Sequence, residues 1–275
     1  MKRIVVDASQ KSYSLGLREL VEFRDLFLIL AYRDIRVRYA QTLLGLAWAA
    51  VQPLATVLVF TIIFGVVARV DTGGTPYVLF AMSGLVPWSY FSFVVFQSGT
   101  SIISAQEMVK KVYFPRLVIP LSKAIVGFVD FAVSFLFLIV LMLYYQYDLT
   151  SRILFLPLFI LLTVFSSLAV GIWLSALTIR YRDFQHVVPF MVQIGLYVTP
   201  VGYRSADVLA RLPEWAGVLY FLNPMAGVVE GFRWSLLGGL PPSPLAFVSF
   251  LVVAVLFVSG LYYFRTVERT MADLV

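Results

Sequence analysis

The feature that most constrains this chain is the length of its apolar runs. Several reach about 20 residues, enough for a helix to cross roughly 30 Å of hydrocarbon. The composition agrees, with 61% hydrophobic and only 13% charged residues and a mean hydropathy of +0.91. Soluble domains are about one-quarter charged. The pattern therefore predicts an all-α polytopic membrane protein with six transmembrane helices, at residues 43–67, 77–98, 119–145, 153–179, 187–203 and 245–264. The fifth is short and carries Pro189 and Pro200, so a kinked or incomplete span is expected there. The first 16 or so residues are polar and mixed, without the apolar core of a signal peptide.

Charge sets the expected orientation. With six spans, sixteen of the 21 Lys and Arg fall on the side that holds both termini, and Arg69, Arg152, Arg204, Arg211 and Arg233 fall on the other. Basic loops stay in the cytoplasm, which predicts cytoplasmic termini. The same count bears on "FLNPMAGVVEGFRWSLLGG" (221–239), which is apolar yet carries Glu230 and Arg233 and is broken by Pro224, Gly227 and Gly231. A full crossing there would invert the last span and put Arg265 and Arg269 outside. A re-entrant dip from the outer side keeps the bias, and backbone of that kind survives at membrane depth only against protein or a cavity.

Residues 14–40 read as an amphipathic helix on the membrane surface, with Leu17, Leu20, Val21, Phe27, Leu28, Ala31, Ile35 and Tyr39 at three- or four-residue intervals. The resulting organisation is a cytoplasmic N-terminus with interface helix (1–41), a transmembrane domain (42–265) and a cytoplasmic tail (266–275). Charges within the apolar segments mark candidate sites. Asp130 lies deep in the third span, with Lys123 about two turns away. Glu230 and Arg233 share one helical face and have the spacing of an internal pair.

Tyr144, Tyr145, Tyr147, Tyr262 and Tyr263 sit at span ends, as interfacial belts do. "VPWSYFSF" (86–93) instead lies inside the second span, and rings with polar tips there suit contact with sugars, although helix packing is the commoner use. Between the second and third spans, "SAQEMVKKVYFPRL" predicts a charged helical turn protruding into the cytoplasm, stopped at Phe114-Pro115. "IRYRDF" (179–184) is a second short loop on that side. The chain has no cysteine, no G-x-x-x-x-G-K-[ST] phosphate loop and one histidine, His186, so disulfides, ATP binding in the manner of that loop and a histidine metal cluster are not expected.

"LAYRDIRVRYAQTLLGLAWAAVQPL", "VKKVYFPRLVIPLS", "RYRDFQHVVPFMVQIGLYVTPV" and "LNPMAGVVEGFRWSLLG" follow the order and spacing of the ABC-2 type permeases. The resemblance spans about residues 20–264 and is closest to the branch that exports O-antigen, capsule or teichoic acid. One departure is "VGYRSADV" after the fifth span, where family members often carry a proline-bearing turn.

The resemblance implies a transport subunit, not an enzyme, that binds no cofactor itself. ATP and Mg would be used by a separate ABC ATPase, two copies of which pair with a homodimer of this chain. It implies the bacterial cytoplasmic (inner) membrane, a polyprenyl-pyrophosphate-linked polysaccharide as cargo (O-antigen foremost), membrane lipid as the other partner, and no nucleic acid. Carried over by motif, Glu107, Lys110, Lys111, Tyr113, Phe114 and Arg116 would meet the ATPase. Arg33, Arg36 and Arg38 would flank the entrance for a lipid pyrophosphate, which suits the donor fork of arginine. Trp88, Tyr90, Phe91, Phe93 and Tyr197 are the candidate channel residues, and Glu230, Arg233 and Trp234 a re-entrant gate. Two alternatives are a permease for a drug or small lipid and a membrane glycosyltransferase using Glu107 and Asp183 as its carboxylates.

Overall fold

A computed structural model describes residues 17–40 and 45–274, and these are helical, with no strand among them. The elements are α1 (Leu17–Glu22), α2 (Arg24–Tyr39), α3 (Trp48–Phe60, running on as a π-helical turn Thr61–Val67), α4 (Tyr77–Ser104), α5 (Gln106–Lys111) and α6 (Val118–Tyr144). They continue with α7 (Leu156–Arg180, after a 3-10 turn Ser151–Phe155), α8 (Phe184–Val198), α9 (Ser205–Leu209), α10 (Glu214–Tyr220), α11 (Ala226–Leu237) and α12 (Ala246–Leu274). Five helices among the described residues are long and apolar enough to cross a membrane: α3 with its π turn, α4, α6, α7 with its 3-10 turn, and α12. The chain is a multi-pass membrane protein.

The expected fifth span is realised as α8, only 15 residues long. At 1.5 Å per residue this is about 22 Å, less than the hydrocarbon thickness. It stops five residues before the expected boundary, where Thr199, preceding Pro200, takes an extended conformation (φ −82°, ψ 142°), the one proline favours in the residue before it. The expected start of the first span, residue 43, lies outside the described residues.

α4 is the central helix. It is the most buried of the spans and packs against α3, α6, α7, α8 and α11. Small residues make the approach possible: a Cβ added at Gly171 on α7 would come within 2.9 Å of Ser98 Cβ on α4. Close contact of this kind, more than hydrophobicity, holds helices together in lipid. α12 lies along α7, with Trp173 stacked on Tyr263 at 4.6 Å.

The N-terminal helix departs from the continuous amphipathic helix expected at 14–40. Residues 14–16 lie outside the described residues, and the remainder breaks at Phe23 into α1 and α2. The buried stripe is also rotated. Leu30 and Ala31 are buried, with Phe23, Leu26 and Phe27 packed beside the core. Val21 and Leu28, expected on the apolar face, are exposed together with Ile29, Tyr32 and Val37. α2 therefore has a face against α6 and a second apolar face turned outward.

Long-range polar contacts gather at the two ends of the bundle. One end, here the basic end, joins α2 to the first turns of α6 and the segment before α6 to α12, with Arg38 reaching Asp130 halfway along α6. The other end joins the start of α4 to the segment after α8 and the α6–α7 turn to the end of α11 and beyond: Tyr77 donates to Gly202 O (2.8 Å), Tyr147 to Leu237 O (2.8 Å) and Arg152 to Gly239 O (3.0 Å).

Candidate functional site

At the basic end a cavity of about 270 Å³ opens between α2, α4 and α6, lined by Asp34, Arg38, Phe93, Gln97 and Lys123 with two valines. Asp34 and Arg38 are one turn apart on α2, whereas Lys123 and Asp130 are two turns apart on α6. Lys123 pairs with Asp34 and Arg38 with Asp130, and Tyr39 donates to the other oxygen of Asp130. The guanidinium of Arg38 also lies 4.2 Å from the centre of the Phe93 ring. Half-buried charges are tolerable in this setting because each meets an opposite charge and a hydrogen bond. Burial raises the Asp34 carboxyl, but hydrogen bonds and charges from Lys123 and Arg33 outweigh it and hold the group below its ordinary value. Chemically the cavity offers two cations, one carboxylate, an amide and an aromatic face.

Only one of the three expected entrance arginines, Arg38, lines this cavity. Arg33 pairs with Asp34 from the exposed side at 2.8 Å. Arg36 is exposed and lies over the Tyr32 ring at 5.7 Å. Asp34, Gln97 and Lys123 were absent from the sequence-derived set. The signal for the charged pair was present: opposite charges four apart on one helix face opposite charges seven apart on another.

The expected protrusion is the short helix α5 with the turn that follows. Glu107 and Lys111 bridge at 3.2 Å, both exposed, and Lys110 and Val112 are exposed beside them. Tyr113 is 71% exposed. Phe114, by contrast, is buried, and Arg116 turns inward: its backbone N–H donates to Glu268 Oε1 (2.8 Å) and its Nη1 to the Glu268 carbonyl (3.0 Å). Two of the six expected docking residues therefore anchor the knob rather than face outward. Val109 and Phe114 reach the core, so the knob is pinned at both ends.

At the opposite end, α11 starts and finishes on the same side of the bundle. Before it, Asn223 donates to Thr199 Oγ1 at 2.9 Å, and its carbonyl accepts from Ser249 on the first turn of α12. After it, Leu237 and Gly239 meet Tyr147 and Arg152. Between those points Phe232 packs edge-on to Phe131 and Phe135 inside α6. This is a dip, the geometry expected for 221–239.

The internal Glu230–Arg233 pair is not formed. Glu230 accepts from Ser205 Oγ and from the Ser243 N–H (3.2 Å). Arg233 donates to Pro200 O (2.9 Å), Val201 O (2.8 Å) and Ser83 Oγ (3.3 Å), and its guanidinium lies 3.7 Å from the Phe80 ring centre. Both side chains leave α11 for neighbouring segments, so each stitches a different loop to it. Trp234 faces Phe155 (5.4 Å), with Arg152 over its ring at 5.6 Å.

The candidate channel residues divide in the same way. Trp88 (5% exposed), Tyr90 and Phe91 are buried inside this chain; Tyr90 donates to Ala124 O at 3.0 Å and Trp88 sits against Phe91. In this chain they are packing residues and line no open wall, because their ring faces are taken by α4's neighbours. Phe93 reaches the cavity, and Tyr197 is 60% exposed on α8.

Residues 25–237 match the model of the ABC-2 type transporter family. The chain is 28% identical over 216 residues to an O-antigen export system permease protein RfbA of Myxococcus xanthus, covering 78% of this chain and 82% of that one. It is 27% identical over 253 residues to an RfbA of Klebsiella pneumoniae, covering 91% and 95%. It is 24% identical over 246 residues to the polysialic acid transport protein KpsM of Escherichia coli, covering 87% and 92%. A transporter family, matched across the interface helix, the knob and the dip, also sets aside the glycosyltransferase alternative. The chain belongs to the ABC-2 type transporter family.

Proposed function

We propose that this chain is the membrane subunit of an ATP-driven exporter of lipid-linked polysaccharide, O-antigen being the favoured class. It works as a homodimer with two ABC ATPase subunits in the bacterial cytoplasmic membrane, its basic end and both termini in the cytoplasm. The observation that carries the reading is similarity to polysaccharide exporters of two kinds over about nine-tenths of the chain. The charge bias of the loops supports the orientation.

In this reading the exposed residues Glu107, Lys110, Lys111 and Tyr113 meet the ATPase. ATP binding moves the knob, and with it the start of α6. The cavity between α2 and α6 lies on the side where the lipid pyrophosphate arrives. A phosphate oxygen there replaces Asp34 at Lys123 or Asp130 at Arg38, exchanging one anion for another without stranding a buried cation. The polymer follows between two copies of the chain, past exposed rings such as Tyr197, and leaves beneath α11.

The test is co-purification. The chain, tagged at its C-terminus and extracted in mild detergent, is expected to bring down an ATP-hydrolysing protein in equal amount. The triple variant K110A/K111A/Y113A is expected to lose it while remaining folded. A native sample that carries no ATPase, with its dimer intact, would refute the reading.

A further inference from the structure

The knob is attached to more than α6. Arg116, which follows the Phe114-Pro115 stop, lies in the turn that leads into α6. Its backbone N–H donates to Glu268 Oε1 on α12, and Arg116 Nη1 donates to the carbonyl of the same residue. The carboxylate therefore ties the turn before α6 to another helix, near the end where the helix dipole favours a negative charge. Its second oxygen pairs with Arg265 at 3.2 Å, and Arg265 reaches Glu19 of α1 at 3.3 Å.

The surroundings hold this contact in place. Phe264 and Val267 are buried on the inner face of α12, and the Glu268 side chain is only 15% exposed. The knob is fixed on its other side by Val109 and Phe114. A push on residues 110–113 thus has two rigid outlets: along α6, whose first turn follows directly, and across to α12, which lies along α7. Without Glu268 the second outlet is a flexing loop.

We infer that Glu268 is a positioning residue that couples the cytoplasmic knob to the last helix, so that α6, α12 and α1 move as one body when the ATPase acts. The inference rests on the reading of residues 107–113 as the ATPase docking knob, which itself needs no Glu268. Glu268 makes no contact with the exposed docking side chains, so its loss leaves docking and hydrolysis in place and lowers only the export gained per ATP.

The experiment compares native, E268Q and E268A complexes purified with their ATPase. E268A is expected to hold the ATPase at the native ratio and to hydrolyse ATP, while polysaccharide exported per ATP falls about tenfold, within the usual range of coupling energies between sites. E268Q keeps an acceptor for the Arg116 N–H but loses the charge facing Arg265, and is expected to fall between the two. Because the chain has no cysteine, Q106C and T266C allow a spin-label pair across the joint. Its separation is expected to stay constant on adding ATP to the native complex and to broaden in E268Q and E268A. Native export per ATP in E268A overturns the proposal. If E268A fails to accumulate, an unchanged label distance in E268Q overturns it and a broadened one supports it. An ATPase missing from the native complex itself refutes the docking reading, and this one with it.

Discussion

Replacing Lys123 by Met isolates the contribution of the α2–α6 ion pair, because the aliphatic stem is kept and only the charge goes. Lys123 and Asp34 have side chains 14% and 18% exposed, so neither extreme of ion-pair energetics applies. At a separation of ~3 Å and an effective dielectric near 20, the attraction is about 5 kcal/mol. Desolvation of two partly buried ions takes back a large part of it, and Arg33 stays on Asp34 after the substitution. A net cost of about 2 kcal/mol follows, or about a 30-fold rise in the population with α2 undocked.

Amide hydrogen exchange over residues 24–39 in detergent reads that population directly. K123M and D34N are each expected to accelerate exchange there and to be strongly non-additive together. The reversed pair D34K/K123D is expected to recover protection. Acid should act in the same direction. The Asp34 carboxyl lies below its ordinary value when docked, so its contribution is complete above the ordinary carboxylate range and is lost as the pH falls through the lower, docked value. K123M is expected to move that loss to higher pH. Additive single substitutions, or a K123M effect below about threefold, would show that the Asp34–Lys123 pair adds little to the docking of α2 and would refute the reasoning.

The other predictions concern the knob and the dip. F114A is expected to lower the yield of folded protein, since it empties a buried site at about 3–5 kcal/mol, whereas Y113A leaves yield unchanged; size-exclusion recovery in detergent checks both. G231A places a Cβ inside the Phe159 ring position and is expected to cost about 1–3 kcal/mol by overpacking, read as a fall in Tm; G231A/F159L should recover part of it. R233M strands acceptors on Pro200 and Val201 and is expected to cost about 2 kcal/mol. The corresponding exchange protection is lost at 199–205 and not at the basic end.

The spans were legible because length and hydropathy settle them with little help from packing. That 221–239 turns back was expected from charge, and the structure brings both ends of α11 to the same end of the bundle. Side-chain facing was harder. In a soluble helix polarity marks the outward side, but lipid and protein core are equally apolar, so Trp88 and Tyr90 in α4 have the same sequence signature whether they line a path or pack. Leu28 and Leu30 of α2 illustrate the same degeneracy, one exposed and one buried two residues later. Glu230 and Arg233 misled for a different reason. Helical spacing permits a pair, but Ser205 and the Pro200–Val201 carbonyls lie nearer to hand, and those partners come from segments whose approach no local pattern encodes. Glu268 was passed over because it stood in a segment read as tail, beyond the expected end of the last span, whereas α12 continues unbroken through it.

The two ends of the bundle differ in what their charges meet. At the basic end ions face ions: Asp34 with Lys123, Asp130 with Arg38, Glu268 with Arg265. At the opposite end the ions around α11 face neutral groups: Arg233 on carbonyls, Glu230 on a hydroxyl and an N–H, Arg152 on a carbonyl. Arg204 with Asp71 and Asp207 is the exception, on the rim beside the turn where α8 has ended. Screening by salt weakens ion pairs more than hydrogen bonds to neutral acceptors, so ionic strength loosens the basic end first. Exchange partners differ too. An anion can replace a carboxylate at Lys123 or Arg38 and keep the cation paired, whereas a neutral hydroxyl can replace a carbonyl at Arg233 or a serine at Glu230. A charged headgroup suits the first set of bonds and a hydroxyl-rich chain the second. The order in which the proposed cargo meets them, headgroup site at entry and neutral-partnered cap at exit, is the order of the two ends themselves.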